Sequence, residues 1–173
     1  MAGKPLVTIK DITLIGMMVA IIELCKVAMG FLPNIELTSF WIIMFTLFFG
    51  RKMMLVVPVF LLIEGAMYGF GMWWISYLYV WPLLSLVTWW CRRQQSVWFW
   101  SILSGAFGLF FGFLCAFTTV AMGSVDGIRN GLYAGFVWWV AGIPWDIAHC
   151  AGNFVLMLVM YQPIRRIMKN ISY

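Results

Sequence analysis

Nine of the eleven Lys and Arg residues fall at every second interruption of an otherwise apolar chain, and this alternation constrains the fold more than any other feature. Lys4 and Lys10 precede the first apolar run, Arg51 and Lys52 follow the second, Arg92 and Arg93 follow the fourth, and Arg165, Arg166 and Lys169 close the chain. The breaks around Pro33, Gly69 and Asp126 carry only Arg129. Cationic residues accumulate on the cytoplasmic side of membrane-spanning chains. The pattern therefore predicts a multi-pass protein with both termini cytoplasmic and an even number of crossings, most simply six.

With 64% apolar, 18% aromatic and only 10% charged residues, the sequence is too hydrophobic for a water-soluble domain. It reads as one integral membrane domain over residues 1–173, with the lipid bilayer as its solvent. The net charge of +5 matches anionic headgroups at the inner leaflet rather than nucleic acid. The first apolar run, 12–32, contains Glu23 and Lys26 and lacks a small-residue cleavage pattern after it, so it is expected to be a true span rather than a signal peptide. Cys25, Cys91, Cys115 and Cys150 show no CxxC spacing and are expected to be buried free thiols.

A crossing helix needs about 20 apolar residues. Counted against that length, the spans are 12–32, 38–50, 53–68, 71–90 and 97–122, and a last one beginning at Pro144 and ending near Tyr161. Spans 38–50 and 53–68 are short, and are expected to be covered by other helices or to sit where the bilayer thins. The segment 131–142 is too short to cross alone, and Pro144 suits the first turn of a helix. An outer cap or half-helix over 131–142, followed by a restart at Pro144, is the expectation.

Charged groups inside a bilayer cost about 2.5–3.5 kcal/mol each at the centre of a helix on insertion scales, so those retained need a partner or a task. Glu23, Lys26, Glu36, Glu64, Asp146 and His149 all fall in the predicted outer half, with Asn34 beside Glu36 in the first outer turn. Glu23 and Lys26, three apart on one helical face, are expected to neutralise each other. Asp146, His149 and Asn153 share a face by spacings of three and four, descending from the outer edge. A structural helix-stabilising pair would account for Asp146 and His149, but Asn153 extends the line inward and favours a binding role.

Trp73, Tyr77 and Trp81, spaced by four, form an aromatic stripe entering from the same side. Most tryptophans fit interfacial belts: Trp41, Trp73, Trp74, Trp138, Trp139 and Trp145 outside, Trp89, Trp90, Trp98 and Trp100 inside. Trp81 alone is clearly deeper. Gly16 and Ala20 make a small-xxx-small patch that lets another helix approach closely. The 13 methionines are read as packing rather than a metal path.

Four stretches in order, LPNIELTSFW (32–41), FFGRK (48–52), LLIEGAMYGFG (61–71) and GIPWDIAHCAGN (142–153), give the chain a likeness over nearly its whole length. It resembles the substrate-binding S-component of an energy-coupling factor vitamin transporter. The resemblance implies an all-α, compact six-transmembrane-helix fold in the bacterial cell membrane that captures a vitamin or precursor from outside. It also implies a membrane scaffold subunit and two cytosolic ATPases as partners, with Gly16 and Ala20 at the docking face. Glycine stands first there in place of the more usual alanine.

The chain contains no GxxxxGK[ST] loop, so no cofactor is expected in it and ATP would be used by the partners. Asn34, Glu36, Glu64, Tyr68, Trp73, Tyr77, Trp81, Asp146, His149 and Asn153 are the candidate substrate contacts. Aromatic faces beside carboxylates and an amide favour a small flat heterocycle, pyridoxine-like or hydroxymethylpyrimidine-like, over an anionic ligand. The alternative is a membrane enzyme with Asp146 and His149 as an acid/base pair. One histidine and no second metal ligand or adjacent nucleophile make a non-enzymatic role the expectation.

Overall fold

The computed structural model describes residues 8–32 and 34–171; Lys4 and Pro33 lie outside them. Six α-helices follow one another, with no strand among the described residues: α1 (Ile9–Met29), α2 (Thr38–Phe49), α3 (Met53–Tyr68), α4 (Met72–Trp90), α5 (Val97–Gly123) and α6 (Ile128–Ile171). They are not six equal crossings. Among the described residues, four helical stretches are long and apolar enough to cross a membrane, namely Ile9–Met29, Thr38–Tyr68, Val97–Asp126 and Ile128–Asn170, the second formed by α2 and α3 joined through a 3-10 turn.

The outside of the bundle is apolar. Met17, Leu24 and Val27 on α1, Phe110, Phe113 and Phe117 on α5, and Leu132, Phe136, Val155 and Val159 on α6 are all exposed. A water-soluble protein rarely exposes contiguous apolar surface of this extent, and a multi-pass membrane protein accounts for it.

Short α2 is the centre of the bundle. Thr38, Ser39, Phe40, Ile42, Ile43, Met44, Phe45 and Thr46 are all buried, because α2 contacts α1, α3, α4 and α6. Its 12 residues extend only about 18 Å at 1.5 Å per residue. Cover by neighbouring helices, one of the two expectations for this segment, is what the structure has.

The basic breaks gather at one end of the bundle. Lys52 bridges Asp11 at 2.7 Å, fastening the start of α1 to the α2–α3 turn. Arg51 and Arg92 both lie over the Trp89 ring, at 5.4 and 4.2 Å, and the Arg165 guanidinium donates to the Gln95 side chain at 3.0 Å. At that end α1 begins with a capping box, in which Thr8 Oγ1 accepts from the Asp11 N–H while the Asp11 carboxylate accepts from the Thr8 N–H.

Two expectations are corrected here. Residues 131–142 are not a separate half-helix: α6 runs unbroken through Pro144 and Pro163 for 44 residues. In an apolar medium a backbone group outside a helix finds no water to bond, so ending a helix at a proline costs more than losing one hydrogen bond within it. Asp146 is consequently 18 residues into α6, about 27 Å along its axis, instead of at the outer tip of a span. Trp100 is also not an interfacial residue. It is fully buried, with its indole N–H donating to the Gln94 carbonyl at 3.2 Å. Of the four free cysteines, Cys115 is buried and Cys25, Cys91 and Cys150 are half-buried.

The most extensive contact in the bundle is the α5–α6 hairpin, and it closes along glycines. A Cβ placed on Gly108 would stand 2.8 Å from the His149 backbone carbonyl, and one on Gly112 would collide with the Asp146 carboxylate. We expect Gly108→Ala to lower stability by about 1–3 kcal/mol, the usual cost of overpacking. Gly142→Ala, whose Cβ would meet nothing within 4 Å, serves as the neutral control. Thermal unfolding of both variants in detergent checks this, and equal midpoints would contradict it.

Candidate functional site

At the end of the bundle opposite the basic cluster, the last turns of α1 and α3 meet the first turns of α4. Lys26 from α1 forms an ion pair with Glu64 from α3, 38 residues away in sequence. This corrects the expected Glu23–Lys26 pair. The side chain three residues away is the nearest partner along the helix, but Glu64 is fully buried and needs the ammonium more. Both carboxylate oxygens of Glu23 are left buried without a hydrogen-bond partner, as is Oε1 of Glu64.

Three aromatic rings surround the same ammonium. Lys26 Nζ lies 5.6 Å from the ring centroids of Tyr68 and Tyr77 and 5.9 Å from that of Phe60, within the range of cation–π attraction. Lys26, Val27, Gly30, Glu64, Tyr68, Trp73 and Tyr77 line a cavity of about 410 Å³. Of these, Glu64, Tyr68, Trp73 and Tyr77 were candidates from the sequence.

Behind Trp73 and Tyr77 lies a second cavity, of about 440 Å³, between α4, α5 and α6. Its lining shares those two aromatics and adds Met72, Ser76, Phe111, Cys115, Thr118, Thr119 and Trp138. Ser76 donates to Thr118 Oγ1 at 2.8 Å, and the Tyr79 hydroxyl donates to the Leu114 carbonyl at 2.7 Å. Both cavities have volumes ordinary for small-molecule sites.

The aromatic stripe is a ladder. Trp73, Tyr77 and Trp81 meet edge to face at 5.2 and 5.3 Å, which fixes the wall between the two cavities. Trp81 is fully buried against Phe107 and Phe111 and anchors the ladder in the core.

Asp146, His149 and Asn153 do share a face, and it is buried in the α5–α6 seam. Asp146 Oδ1 accepts the Gly112 N–H at 2.9 Å, and Asn153 Nδ2 donates to the Ser104 carbonyl at 3.3 Å. The His149 ring meets Phe111 edge to face at 4.9 Å, so it stands one ring behind the second cavity. Asp146 Oδ2 and His149 Nε2 have no hydrogen-bond partner. These three residues are thus brought together with one another, but separately from Lys26 and Glu64.

In the loop before α2, Asn34 is exposed with φ of 55°, a left-handed conformation that asparagine tolerates well. Half-buried Glu36 follows it. Burial pushes its carboxyl pKa above the usual range, while the nearby Lys26 ammonium opposes that shift. Gly16 and Ala20 are exposed on α1, and a Cβ on Gly16 would meet nothing within 4 Å. Among the described residues, no group of three His, Cys, Asp or Glu side chains is placed to hold a metal ion.

Sequence reasoning named Lys26 but gave it the wrong partner, and it passed over Ser76, Phe111, Cys115 and Thr118. Ser76 had a visible signal, a small hydroxyl residue three positions after Trp73 in a span of aromatics. Compared with known proteins, the chain matches no family profile, no curated protein and no solved structure.

A double-mutant cycle separates the two possible partners of Lys26. For Lys26→Met with Glu64→Gln, we expect a coupling of about 1–3 kcal/mol in stability, and for Lys26→Met with Glu23→Gln one of about 0.5 kcal/mol or less. Denaturation in detergent supplies the four-corner data, and a larger coupling to Glu23 would contradict the observed pairing.

Proposed function

We propose that the protein is the substrate-capturing membrane subunit of an energy-coupling factor type importer, binding a small vitamin-like heterocycle in the aromatic cavities. The single observation that supports this most is the wall formed by Trp73 and Tyr77. Those two side chains line both cavities, and they stand beside a fully buried carboxylate that keeps one oxygen free. An aromatic surface with a few convergent polar groups is how small flat ligands are held.

On this reading the basic end faces the cytoplasm, both termini lie there, the chain crosses the membrane six times, and the cavities open outward. The chain carries no nucleotide-binding loop, so ATP is hydrolysed by two cytosolic partners, coupled through a membrane scaffold. Gly16 and Ala20 are the docking patch, because small exposed residues on a helix let a second helix come close. The ligand is pyridoxine-like or hydroxymethylpyrimidine-like. The chain itself is not an enzyme.

Replacing Gly16 or Ala20 by Leu separates capture from uptake. Uptake into cells should fall at least about tenfold, and the ATPases should no longer co-purify, while equilibrium binding by the isolated subunit stays within about twofold. Loss of binding and uptake together would place the defect in folding of the subunit and contradict the docking assignment. Absence of any ATPase when the wild-type protein is drawn from its native membrane in mild detergent, as opposed to being expressed alone, would contradict the transporter reading itself.

A further inference from the structure

We propose that the cavity between α1, α3 and α4 takes a ring-bearing organic cation, which displaces the Lys26 ammonium from Glu64 and from the cage of Phe60, Tyr68 and Tyr77. This rests on the capture reading above and adds the charge of what is captured.

Lys26 itself fills a cation site. Its ammonium is bound by a carboxylate and lies within 6 Å of three ring centroids, the arrangement that recognises ammonium ligands. Two features mark this as more than a structural ion pair. Glu64 is completely buried with only the neighbouring Glu23 carboxyl beside its second oxygen, and the ion pair lines a cavity of about 410 Å³ instead of being enclosed by packed side chains.

The surrounding charges also favour a cation. Glu23 precedes Lys26 by three residues with both oxygens buried and unpartnered, and Glu36 lies close enough for its carboxyl to respond to Lys26 and Glu64. Among the described residues Lys26 and Glu64 are the charged groups lining this cavity, with Glu23 and Glu36 nearby, and α4 contributes only the neutral Trp73 and Tyr77. Lys26 hangs on a flexible four-carbon stem and is 22% exposed, so it can swing toward the open end of the cavity when another cation arrives. A ring attached to that cation would then lie along Trp73 and Tyr77.

The experiment uses the full-length protein in detergent and three probes of similar size: benzylammonium, benzyl alcohol and benzoate. Binding is read from tryptophan fluorescence and thermal stabilisation. Benzylammonium should bind about tenfold more tightly than benzyl alcohol, and benzoate more weakly than either. Lys26→Met removes the resident competitor and should tighten benzylammonium by about tenfold, whereas an anion-binding lysine would give the opposite sign.

Should Lys26→Met fold poorly, Lys26→Met with Glu64→Gln carries neither charge, and it should bind benzylammonium and benzyl alcohol within about twofold of each other. Preference for benzoate, weaker benzylammonium binding in Lys26→Met, or binding of none of the probes would each overturn the proposal. Co-purification of the ATPases is unaffected by any of these results, so the capture reading stands or falls separately.

Discussion

An ammonium in an apolar bundle has to be neutralised, and the way Lys26 meets this requirement organises one whole end of the molecule. Its partner Glu64 draws α1 against α3, and Phe60 and Tyr68 from α3 and Tyr77 from α4 crowd the charge, so three helices converge on one group. Breaking such a pair by removing one member is expensive, because the other charge stays buried. Replacing a buried ion pair by well-packed apolar residues of similar volume is often neutral or even stabilising, so stability alone does not call for one. This pair lines an open cavity, so its charges are within reach of a ligand as well as holding two helices together.

The other half of the molecule is built on close approach rather than charge. Gly105, Gly108 and Gly112 let α6 lie almost on the α5 backbone, and the Asp146 carboxylate can then accept a hydrogen bond from the Gly112 amide. Small residues at helix contacts are the usual means of association where lipid and side chain are equally apolar. This seam fixes Phe111, which His149 supports from behind, and Phe111 in turn lines the second cavity. A site of aromatic faces thus rests on a glycine seam on one side and on an ion pair on the other.

Much of this was legible in the sequence, and the failures have physical causes. The ends of α2, α3, α4 and α5 lie within a residue or two of the expected ones, since glycine or basic residues mark each break. Spacing by four was enough to find the Trp73–Tyr77–Trp81 ladder. The Gly142–Pro144 signal misled because it is a stop signal in water, where freed backbone groups are solvated, and it has less force where no water competes. The partner of Lys26 could not be read, because local spacing offers Glu23 while tertiary packing brings Glu64 from 38 residues away. Trp100 was misplaced for a related reason: its position near a chain break looks interfacial, and only the fold turns it inward.

The central claim is that the aromatic cavities hold a small molecule. It is tested most directly by mass spectrometry of the compounds released when the protein, purified from its membrane, is denatured. The account predicts one small flat heterocycle with a basic nitrogen at a substantial fraction of one per chain, and its loss from the Tyr77→Ala protein, because Tyr77 walls both cavities and the Lys26 cage. An equal amount of the same compound from both proteins would place the ligand elsewhere, and a phosphorylated or carboxylated compound that depends on Lys26 would contradict the charge argument on which the site was built.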